Sequence, residues 1–287
     1  MMPLTGAALG APLVCARSAE IYPWGQDEII KLFRSGFCAD TARRERLAAE
    51  EAHAQGATRI RCLGEVEIDG RIGLIMNRID GRTLTASADA NPLALIRLPR
   101  TLARLHVGVH NARTPRLDDI RRVISDQLDS PALEFLNSRD KALLQDYLSR
   151  LPDGDALLHM DFHTENILVN KEYETVIDWA TAARGDVGAD IAMTWFLFHE
   201  AELFPGISRF QQALYNTLRK QIYRRYLRHY IRMSGLSADD INARIRRWYL
   251  PVLVCRLALW SAPTETEPLK AGILRGIHAL RHGEQTA

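Results

Sequence analysis

The segment LLHMDFHTENILVN, residues 157–170, places a group of polar side chains between two apolar runs. The polar members of this group are His159, Asp161, His163, Glu165 and Asn166. Polar groups that interrupt a buried apolar segment cost free energy unless they are hydrogen-bonded or bind something. The chain must therefore fold so that this group meets either other parts of the protein or a ligand.

A β-hairpin is predicted directly after this group, from the pattern NILVN-KEYE-TVIDW. Its first strand follows Asn166 and its second ends at Asp178, so we expect these two residues side by side, with Asp161 on the loop that leads in. Two oxygen ligands on adjacent backbone segments suit Mg²⁺, which takes few protein ligands and fills its other positions with water and phosphate. A third carboxylate nearby can accept or orient a hydroxyl proton.

The rest of the chain divides into a β-rich part and a helical part. Before residue 80 the apolar stretches SAEIYPW, EIIKLF and RIRCLGEVEIDGRIGLIMNRI predict an antiparallel sheet, with a turn at Asp69-Gly70 and one inserted helix that Thr41 caps. After Gly81 helical patterns dominate, the first of them capped by Asn91. The predicted fold class is α+β, with a small antiparallel β lobe over 1–80 and a larger, mainly helical lobe over 81–287.

Composition and charge exclude several classes of protein. The net charge is +2 and the isoelectric point about 8.4, which is too mild to indicate nucleic-acid binding. No run reaches the roughly 18 apolar residues of a membrane span, and the apolar N-terminus lacks the positively charged start of a signal peptide. The four cysteines are scattered, as expected for reduced thiols. We therefore expect a cytoplasmic protein with no membrane or nucleic-acid partner.

The eight residues from His159 to Asn166 fit the H-x-D-x-x-x-x-N catalytic loop of protein kinases. The following Asp178-Trp179 replaces Asp-Phe-Gly, and with GDVGADIA, LARLHVGVH and MNRIDGRTL it resembles the aminoglycoside phosphotransferase family, a small-molecule branch of the kinase-like fold. The resemblance implies transfer of the ATP γ-phosphate, with GTP as an alternative donor, to a hydroxyl of a small molecule. It implies Asp161 as the catalytic base and Asn166 with Asp178 as the ligands of Mg²⁺.

The same resemblance implies residues that contact the nucleotide. Lys31 lies in the apolar EIIKLF, where an unpaired ammonium is costly, and corresponds to the family's phosphate-binding lysine. Its partner is expected to be Glu45, with Glu50 and Glu51 as competitors. An anion at that position would keep Lys31 charged.

Two further backbone segments are expected to bind the nucleotide. Ser18 and Ala19 lie in RSAEIYPWG, which stands where protein kinases have a Gly-rich loop, and could offer N–H groups to phosphate. Met76, Asn77 and Ile79 belong to the expected hinge segment, whose backbone could bind an adenine edge. The same residues would also suit an ordinary core strand.

Other loop residues receive structural roles. We expect His159 to hold the loop and Asp190 to brace it through hydrogen bonds. For His163 two readings remain open, contact with the transferred phosphate or an exposed loop histidine. The basic residues interleaved with tyrosines after Glu202 also permit two readings. They form either a solvated face with tyrosines toward the core or a site for an anionic substrate or nucleic acid.

The acceptor itself is not predicted beyond its charge class. No acidic residue occurs between Glu202 and Asp239, which favours a neutral or anionic acceptor over a polycationic one. The alternative function is a catalytically silent nucleotide-binding regulatory protein of the same fold. A protein kinase is disfavoured, because the Gly-rich loop and Asp-Phe-Gly are missing. The oligomeric state is not predicted.

Overall fold

The computed structural model describes residues 9–16, 18–36, 39–202 and 209–283. The chain forms two compact units, one made of Met1–Ala90 with Thr164–Ala182 and the other of Asn91–His163 with Ala183–Ala287. The division predicted from the sequence lies at residue 80. The boundary between the units lies instead after residue 90, and the hairpin that follows the polar loop belongs to the N-terminal unit.

A five-stranded antiparallel sheet forms the centre of the N-terminal unit, in the order β1-β2-β3-β5-β4. Its strands are β1 (Val14–Cys15), β2 (Ala19–Trp24), β3 (Glu28–Phe33), β4 (Cys62–Ile68) and β5 (Arg71–Asn77). The turn between β4 and β5 is the predicted one, with Asp69 and Gly70 both at positive φ (49° and 70°). A two-residue turn with both φ values positive matches the twist of the strands that it joins.

One helix, α1 (Ala39–Ala54), is inserted between β3 and β4. It begins two residues before Thr41, so the predicted cap at Thr41 is wrong and this residue lies inside the first turn. The end is as predicted: Gly56 has a φ of +71° and its N–H donates to the carbonyl of His53. Only glycine adopts that left-handed conformation without steric cost.

A second, three-stranded sheet carries the hairpin that follows the polar loop. Its order is β6-β8-β9, with β6 at Arg82–Thr83, β8 at Ile167–Val169 and β9 at Glu174–Val176. The segment after α1 packs on this hairpin, since the Thr58 hydroxyl donates to the carbonyl of Val176 at 2.6 Å. The hydroxyl of Thr175 accepts a hydrogen bond from the N–H of Arg59 at 2.9 Å. These bonds explain why the hairpin belongs to the N-terminal unit, together with the short helix α2 (Leu84–Ala90).

The second unit is mainly helical. Its helices are α3 (Pro92–Asn111), α4 (Ile120–Ser125), α5 (Ser138–Ser149), α6 (Val187–His199), α7 (Arg209–Ser234), α8 (Ala238–Cys255) and α9 (Thr266–Arg281). Helix α3 begins as predicted, with the Asn91 side chain accepting from the N–H of Leu93 and a proline in the first turn. A two-stranded sheet of β7 (Ala156–Leu158) and β10 (Ala183–Gly185) precedes α6.

Helix α6 lies at the centre of this unit. Nine of its residues between Gly188 and Phe198 are buried, and seven of these nine are glycine or apolar. Such a helix is typical of a core position. Its first turn is capped by Asp186, whose side chain accepts from the N–H of Gly188 at 2.7 Å.

Among the described residues, no helix is long and apolar enough to cross a membrane. Cys15, Cys62 and Cys255 are free thiols, while Cys38 lies outside the described residues.

Candidate active site

Lys31 is the centre of the polar site in the N-terminal unit. It lies on β3, opposite Ile21 of β2 and Leu74 of β5, and only 8% of its side chain is exposed. Its ammonium donates to Glu45 Oε1 at 2.5 Å and to Asp178 Oδ1 at 2.8 Å. The structure thus brings together three residues that the sequence analysis selected from distant parts of the chain.

The two carboxylates keep Lys31 charged. Burial lowers the pKa of the ammonium, but the charges of Asp178 and Glu45 outweigh it and the pKa lies above its ordinary value. For Glu45 burial prevails, and its pKa is raised despite the contact with Lys31. Glu45 Oε2 is buried and has no hydrogen-bond partner within the described residues. The ammonium of Lys31 is therefore a fixed cation, held by the deeply buried carboxylate of Glu45 and the more accessible carboxylate of Asp178.

Lys31 pairs with Glu45 at 2.5 Å, and the two competing glutamates lie at other positions of α1. Glu50 is ion-paired with Arg46 at 3.5 Å on the outer side of α1, and Glu51 is buried elsewhere on the helix. Glu45 is the member of this group that lies on the face of α1 toward β3.

Asn166 and Asp178 lie at one end of the β8–β9 hairpin. Asn166 closes a short 3₁₀ turn before β8, and its carbonyl accepts from the N–H of Ile177 at 2.9 Å. The residue after Ile177 is Asp178, which has a φ of 63° and a side chain that is 39% exposed. One carboxamide and one carboxylate are hard oxygen donors, and this set fits Mg²⁺.

Ser18 and Ala19 lie where β2 begins. The carbonyl of Ser18 accepts from the N–H of Arg34 at 2.9 Å, and the carbonyl of Ala19 accepts from Ala16 at 2.9 Å. Ala19 is fully buried and paired with Phe33 of β3. Ser18 therefore precedes β2 and Ala19 begins it, three and two positions before Ile21, the residue opposite Lys31.

The expected hinge residues differ in what their backbones can offer. Met76 and Asn77 end β5, and the N–H of Asn77 donates to the carbonyl of Arg61. The N–H of Arg78 donates to the backbone carbonyl of Asp27 at 2.8 Å. Within the described part of the chain, Ile79 is the residue of this segment whose N–H has no backbone acceptor.

Asp161 lies in the second unit, on the loop after β7. Its side chain is 27% exposed, and Oδ2 is 3.4 Å from Nε2 of His163. Burial would raise the pKa of the Asp161 carboxyl, but the charge and hydrogen bond of His163 outweigh it and the pKa falls to about 2. Arg256 acts in the same direction. The group is therefore a carboxylate at neutral pH, able to accept a hydrogen bond from a hydroxyl.

The loop that carries Asp161 is braced by Asp190, as predicted. Asp190 on α6 accepts hydrogen bonds from the N–H groups of His159 (2.5 Å) and Met160 (3.0 Å). Met160 has a φ of 60°, a conformation unfavourable for its side chain that these two bonds stabilise. His159 is fully buried, and its ring accepts from the N–H of Asp161 at 3.3 Å. The predicted structural roles of His159 and Asp190 are confirmed.

Two buried histidines of α3 complete the surroundings of Asp190. The Nε2 atoms of His106 and His110 each lie 3.2 Å from Asp190 Oδ2. Their Nδ1 atoms lie 2.7 Å from the hydroxyls of Tyr226 and Tyr230 on α7. The three ligand atoms lie close enough to hold a metal ion, but Asp190 already accepts from two amides. We therefore assign the cluster a structural role.

Arg256 and Glu265 form a charged pair in this unit that was not predicted from the sequence. Arg256 follows α8 directly in a π-helical turn, and its Nε donates to Glu265 Oε2 at 2.9 Å. A signal was available: Arg256 interrupts the apolar run LPVLVCRLALW, where a guanidinium without a partner would be costly.

A model of a phosphotransferase enzyme family matches residues 22–236, three quarters of the chain. No curated protein sequence matches. Among solved structures, a thermostable mutant of aminoglycoside phosphotransferase APH(4)-Ia in ternary complex with AMP-PNP and hygromycin B is similar. Its TM-score is 0.61 and its identity 16%, and the match covers 95% of this chain and 93% of that one.

Two other solved structures have similar values. A choline/ethanolamine kinase family protein from Mesorhizobium loti has a TM-score of 0.57 and 16% identity, with 96% of this chain and 89% of that one covered. Amicoumacin kinase in complex with AMP-PNP and Ca²⁺ has a TM-score of 0.55 and 13% identity, with 99% and 91% covered. These likenesses show the fold, which is kinase-like, and the fold class predicted from the sequence is confirmed.

Proposed function

Because the chain belongs to the phosphotransferase enzyme family, we propose that it transfers the γ-phosphate of ATP to a hydroxyl group of a small molecule. The observation that carries this proposal is the buried ammonium of Lys31, held by Glu45 and by Asp178, whose chain neighbour Ile177 pairs with Asn166. A fixed cation beside two oxygen donors for a metal is the arrangement needed to bind a nucleoside triphosphate.

The N-terminal unit is proposed as the nucleotide-binding part. Lys31 would donate to phosphate oxygens, and the buried carboxylate of Glu45 would keep the ammonium in position. Asn166 and Asp178 would hold Mg²⁺, which supplies neutralisation of phosphate charge. Backbone N–H groups at Ser18 and Ala19 are proposed for phosphate and those of the segment from Met76 through Asn77 to Ile79 for the base. GTP remains the alternative donor.

The second unit is proposed to supply the catalytic residue, Asp161. The hydroxyl oxygen of the acceptor attacks the γ-phosphorus, and the bond to the β–γ bridging oxygen breaks. ADP leaves with that electron pair, the hydroxyl proton passes to the Asp161 carboxylate, and the acceptor becomes a phosphate monoester. A carboxylate with a pKa of about 2 is a weak base. Its main contribution is therefore orientation of the hydroxyl, as expected for phosphoryl transfer.

The acceptor is proposed to be a small hydroxylated compound, neutral or anionic. The solved relatives include a complex with hygromycin B and a choline/ethanolamine kinase family protein. In this chain, the thirty-six residues between Glu202 and Asp239 contain no carboxylate that could stabilise several ammonium groups.

The test is a coupled ADP-release screen of hydroxylated metabolites and antibiotics with MgATP, followed by ³¹P NMR of positive reactions. We expect at least one compound to give ADP together with a new monoester resonance. Asp161→Asn should abolish both, because the carboxylate that orients the hydroxyl is lost. Asp155→Asn, an exposed carboxylate paired with Arg113 at the surface, serves as the matched control and should retain activity.

The same screen separates the proposal from the alternative of a silent nucleotide-binding protein. Such a protein would bind MgATP without any compound raising ADP release above the rate of the Asp161→Asn variant. Equal ADP release by the wild type and Asp161→Asn would contradict the role of Asp161.

A further inference from the structure

Arg256 occupies an unusual position in the second unit. Helix α8 ends at Cys255, and Arg256 opens the π-helical turn Arg256–Trp260. Its side chain is only 13% exposed, and its Nε and Nη2 atoms donate to the two carboxylate oxygens of Glu265 at 2.9 and 3.2 Å. Single π turns inside helical segments often occur at functional sites.

Glu265 has no capacity left to bind a ligand. Oε1 also accepts from the N–H of Glu202 at 2.9 Å, and Oε2 from the N–H of Ala262 at 3.1 Å. Burial raises the pKa of Glu265, but Arg256 and these amides outweigh burial and lower it. With four donors on its two oxygens, this carboxylate cannot accept an ammonium group of a substrate. Its function is to orient Arg256.

Arg256 itself retains donors. Two of its three nitrogens bond Glu265, while no described residue accepts a hydrogen bond from Nη1. The guanidinium carbon lies 5.8 Å from the ring centroid of Phe196, which supports one side of the group. Its charge also acts on the carboxylate of Asp161. The guanidinium is therefore a fixed cation with donors to spare, within electrostatic reach of the proposed catalytic residue.

The charge of Glu265 acts on two guanidinium groups. Arg256 pairs with it directly, and Arg219 of α7 interacts with it electrostatically. A planar guanidinium held in a fixed orientation is suited to binding carboxylate or phosphate oxygens, whereas it would repel a cationic group of a substrate.

We propose that Arg256 binds the carboxylate of the acceptor, so that the substrate is a hydroxy acid whose hydroxyl is presented to Asp161. This inference rests on the proposed function and specifies its substrate class. The transfer is the one given above: the hydroxyl of the acid becomes a phosphate monoester, ADP is released, and the carboxylate remains unchanged at Arg256.

The experiment uses a series of hydroxy acids, each with its amide and its amino-alcohol counterpart. ADP release is measured with saturating MgATP, and binding of each compound to the protein loaded with MgAMP-PNP is measured by thermal shift. We expect the acids to have KM values roughly 10- to 100-fold below those of their amides, the range for loss of a charge-assisted hydrogen-bond pair. The amino alcohols should be the poorest acceptors.

Variants separate binding from structure. Arg256→Lys keeps the charge but loses the planar fork, and should raise KM for the acids with little change in kcat. Arg256→Gln combined with Glu265→Gln avoids leaving a buried carboxylate unpaired, and should make acids and amides equivalent. Arg247→Gln, on the exposed side of α8, is the matched control and should behave as the wild type.

The outcomes distinguish this inference from the proposed function. If the amides or amino alcohols are better than the acids, or if no acid exceeds its amide, the inference fails. MgATP binding, measured in parallel, would in that case leave the proposed function standing. If MgATP itself does not bind, the proposed function fails. If both Arg256 variants keep the wild-type preference for acids, Arg256 does not bind the acceptor carboxylate and the inference fails.

Discussion

At the residue scale, Lys31 joins three parts of the chain. Its ammonium contacts Glu45 of α1 and Asp178 after β9. Taking a buried cation from two carboxylates leaves their charges uncompensated, which costs more than the pair contributes when intact. Lys31 therefore matters both for stability and for binding of phosphate.

We predict that Lys31→Met raises the Kd for MgAMP-PNP at least about 10-fold, because a charge-assisted contact to phosphate is lost. The same variant should lower the free energy of unfolding by about 3–5 kcal/mol, the range for breaking a buried pair. Glu45→Gln should weaken binding less, since the ammonium keeps Asp178. Calorimetric titration and urea unfolding measure both effects.

The control for Lys31 is Lys171→Met, an exposed lysine in the turn of the hairpin. It should leave both quantities within about 0.5 kcal/mol of the wild type. Unchanged nucleotide affinity in Lys31→Met, with the protein folded, would contradict the role of Lys31.

The choice of Glu45 shows what local sequence could and could not decide. The periodicity of the helix places residues 45, 48, 49 and 52 on one face of α1, but the side chain of Glu51 is buried as well. Phase alone therefore does not separate Glu45 from Glu51. The resemblance to a known family selected the residue that the structure pairs with Lys31. Arg256 was missed because its partner, Glu265, is contributed by a turn whose position depends on tertiary packing.

At the scale of elements, helices α3, α6 and α7 share a buried polar cluster. His106 is fully buried and faces Asp190, His110, His159 and the tyrosines of α7. Burial is the main cause that lowers the pKa of His106 to about 4. The unfolded chain takes up this proton near pH 6.5, so it binds more protons than the folded protein between pH 6.5 and 4.

We predict that stability falls as the pH drops from 6.5 to 4, with up to about 3 kcal/mol of the loss arising from His106. The lowered pKa of Asp190 contributes at lower pH, because its carboxylate stays ionised through this window. His106→Gln should be less stable at pH 7 but show a shallower pH dependence. Urea unfolding at several pH values measures the slope, and the exposed His282→Gln is the control.

An unchanged slope in His106→Gln would show that other histidines cause the acid destabilisation. His199 and His229 are the alternatives in this unit, since burial lowers the pKa of each.

Helix α7 follows the first of the two readings that its sequence left open, a core position for its tyrosines, with two exceptions. Tyr223, Tyr226 and Tyr230 are buried as the core reading predicts, whereas Tyr215 is 44% exposed. Arg219 is not a solvated residue: its Nη1 donates to the carbonyl of Ala201 at 2.7 Å and its Nη2 to that of His199 at 3.2 Å. It therefore caps the C-terminal end of α6, which no local pattern could have indicated.

We predict that Arg219→Ala destabilises the protein by about 1–2 kcal/mol, because the last carbonyls of α6 lose charged donors. Arg225→Ala, on the exposed side of the same helix, should change stability by no more than about 0.5 kcal/mol. Thermal and urea unfolding of the two variants compare them directly. Equal effects would mean that the cap contributes no more than an exposed arginine.

At the scale of the whole molecule, the sequence predicted the order and type of elements well. Apolar stretches located the strands around Lys31, and the Asn91 cap located the start of α3. The division into units was not predicted at its observed place. It depends on contacts such as Thr58 with Val176, which join residues more than a hundred positions apart and leave no local signal.

The division also separates the proposed roles. Lys31, Glu45, Asn166 and Asp178 belong to the N-terminal unit, and Asp161 to the other, with the chain passing between units after His163. Nucleotide binding and orientation of the acceptor should therefore respond to different substitutions.

The most direct test of this account is calorimetric titration of the wild type, Asp161→Asn and Asp178→Ala with MgAMP-PNP. We expect the wild type to bind the nucleotide and Asp161→Asn to bind it with nearly equal affinity, because Asp161 orients the acceptor. Asp178→Ala should bind much more weakly, since it loses a proposed metal ligand and a partner of Lys31. Absence of wild-type binding at millimolar nucleotide, or equal loss in both variants, would contradict the account.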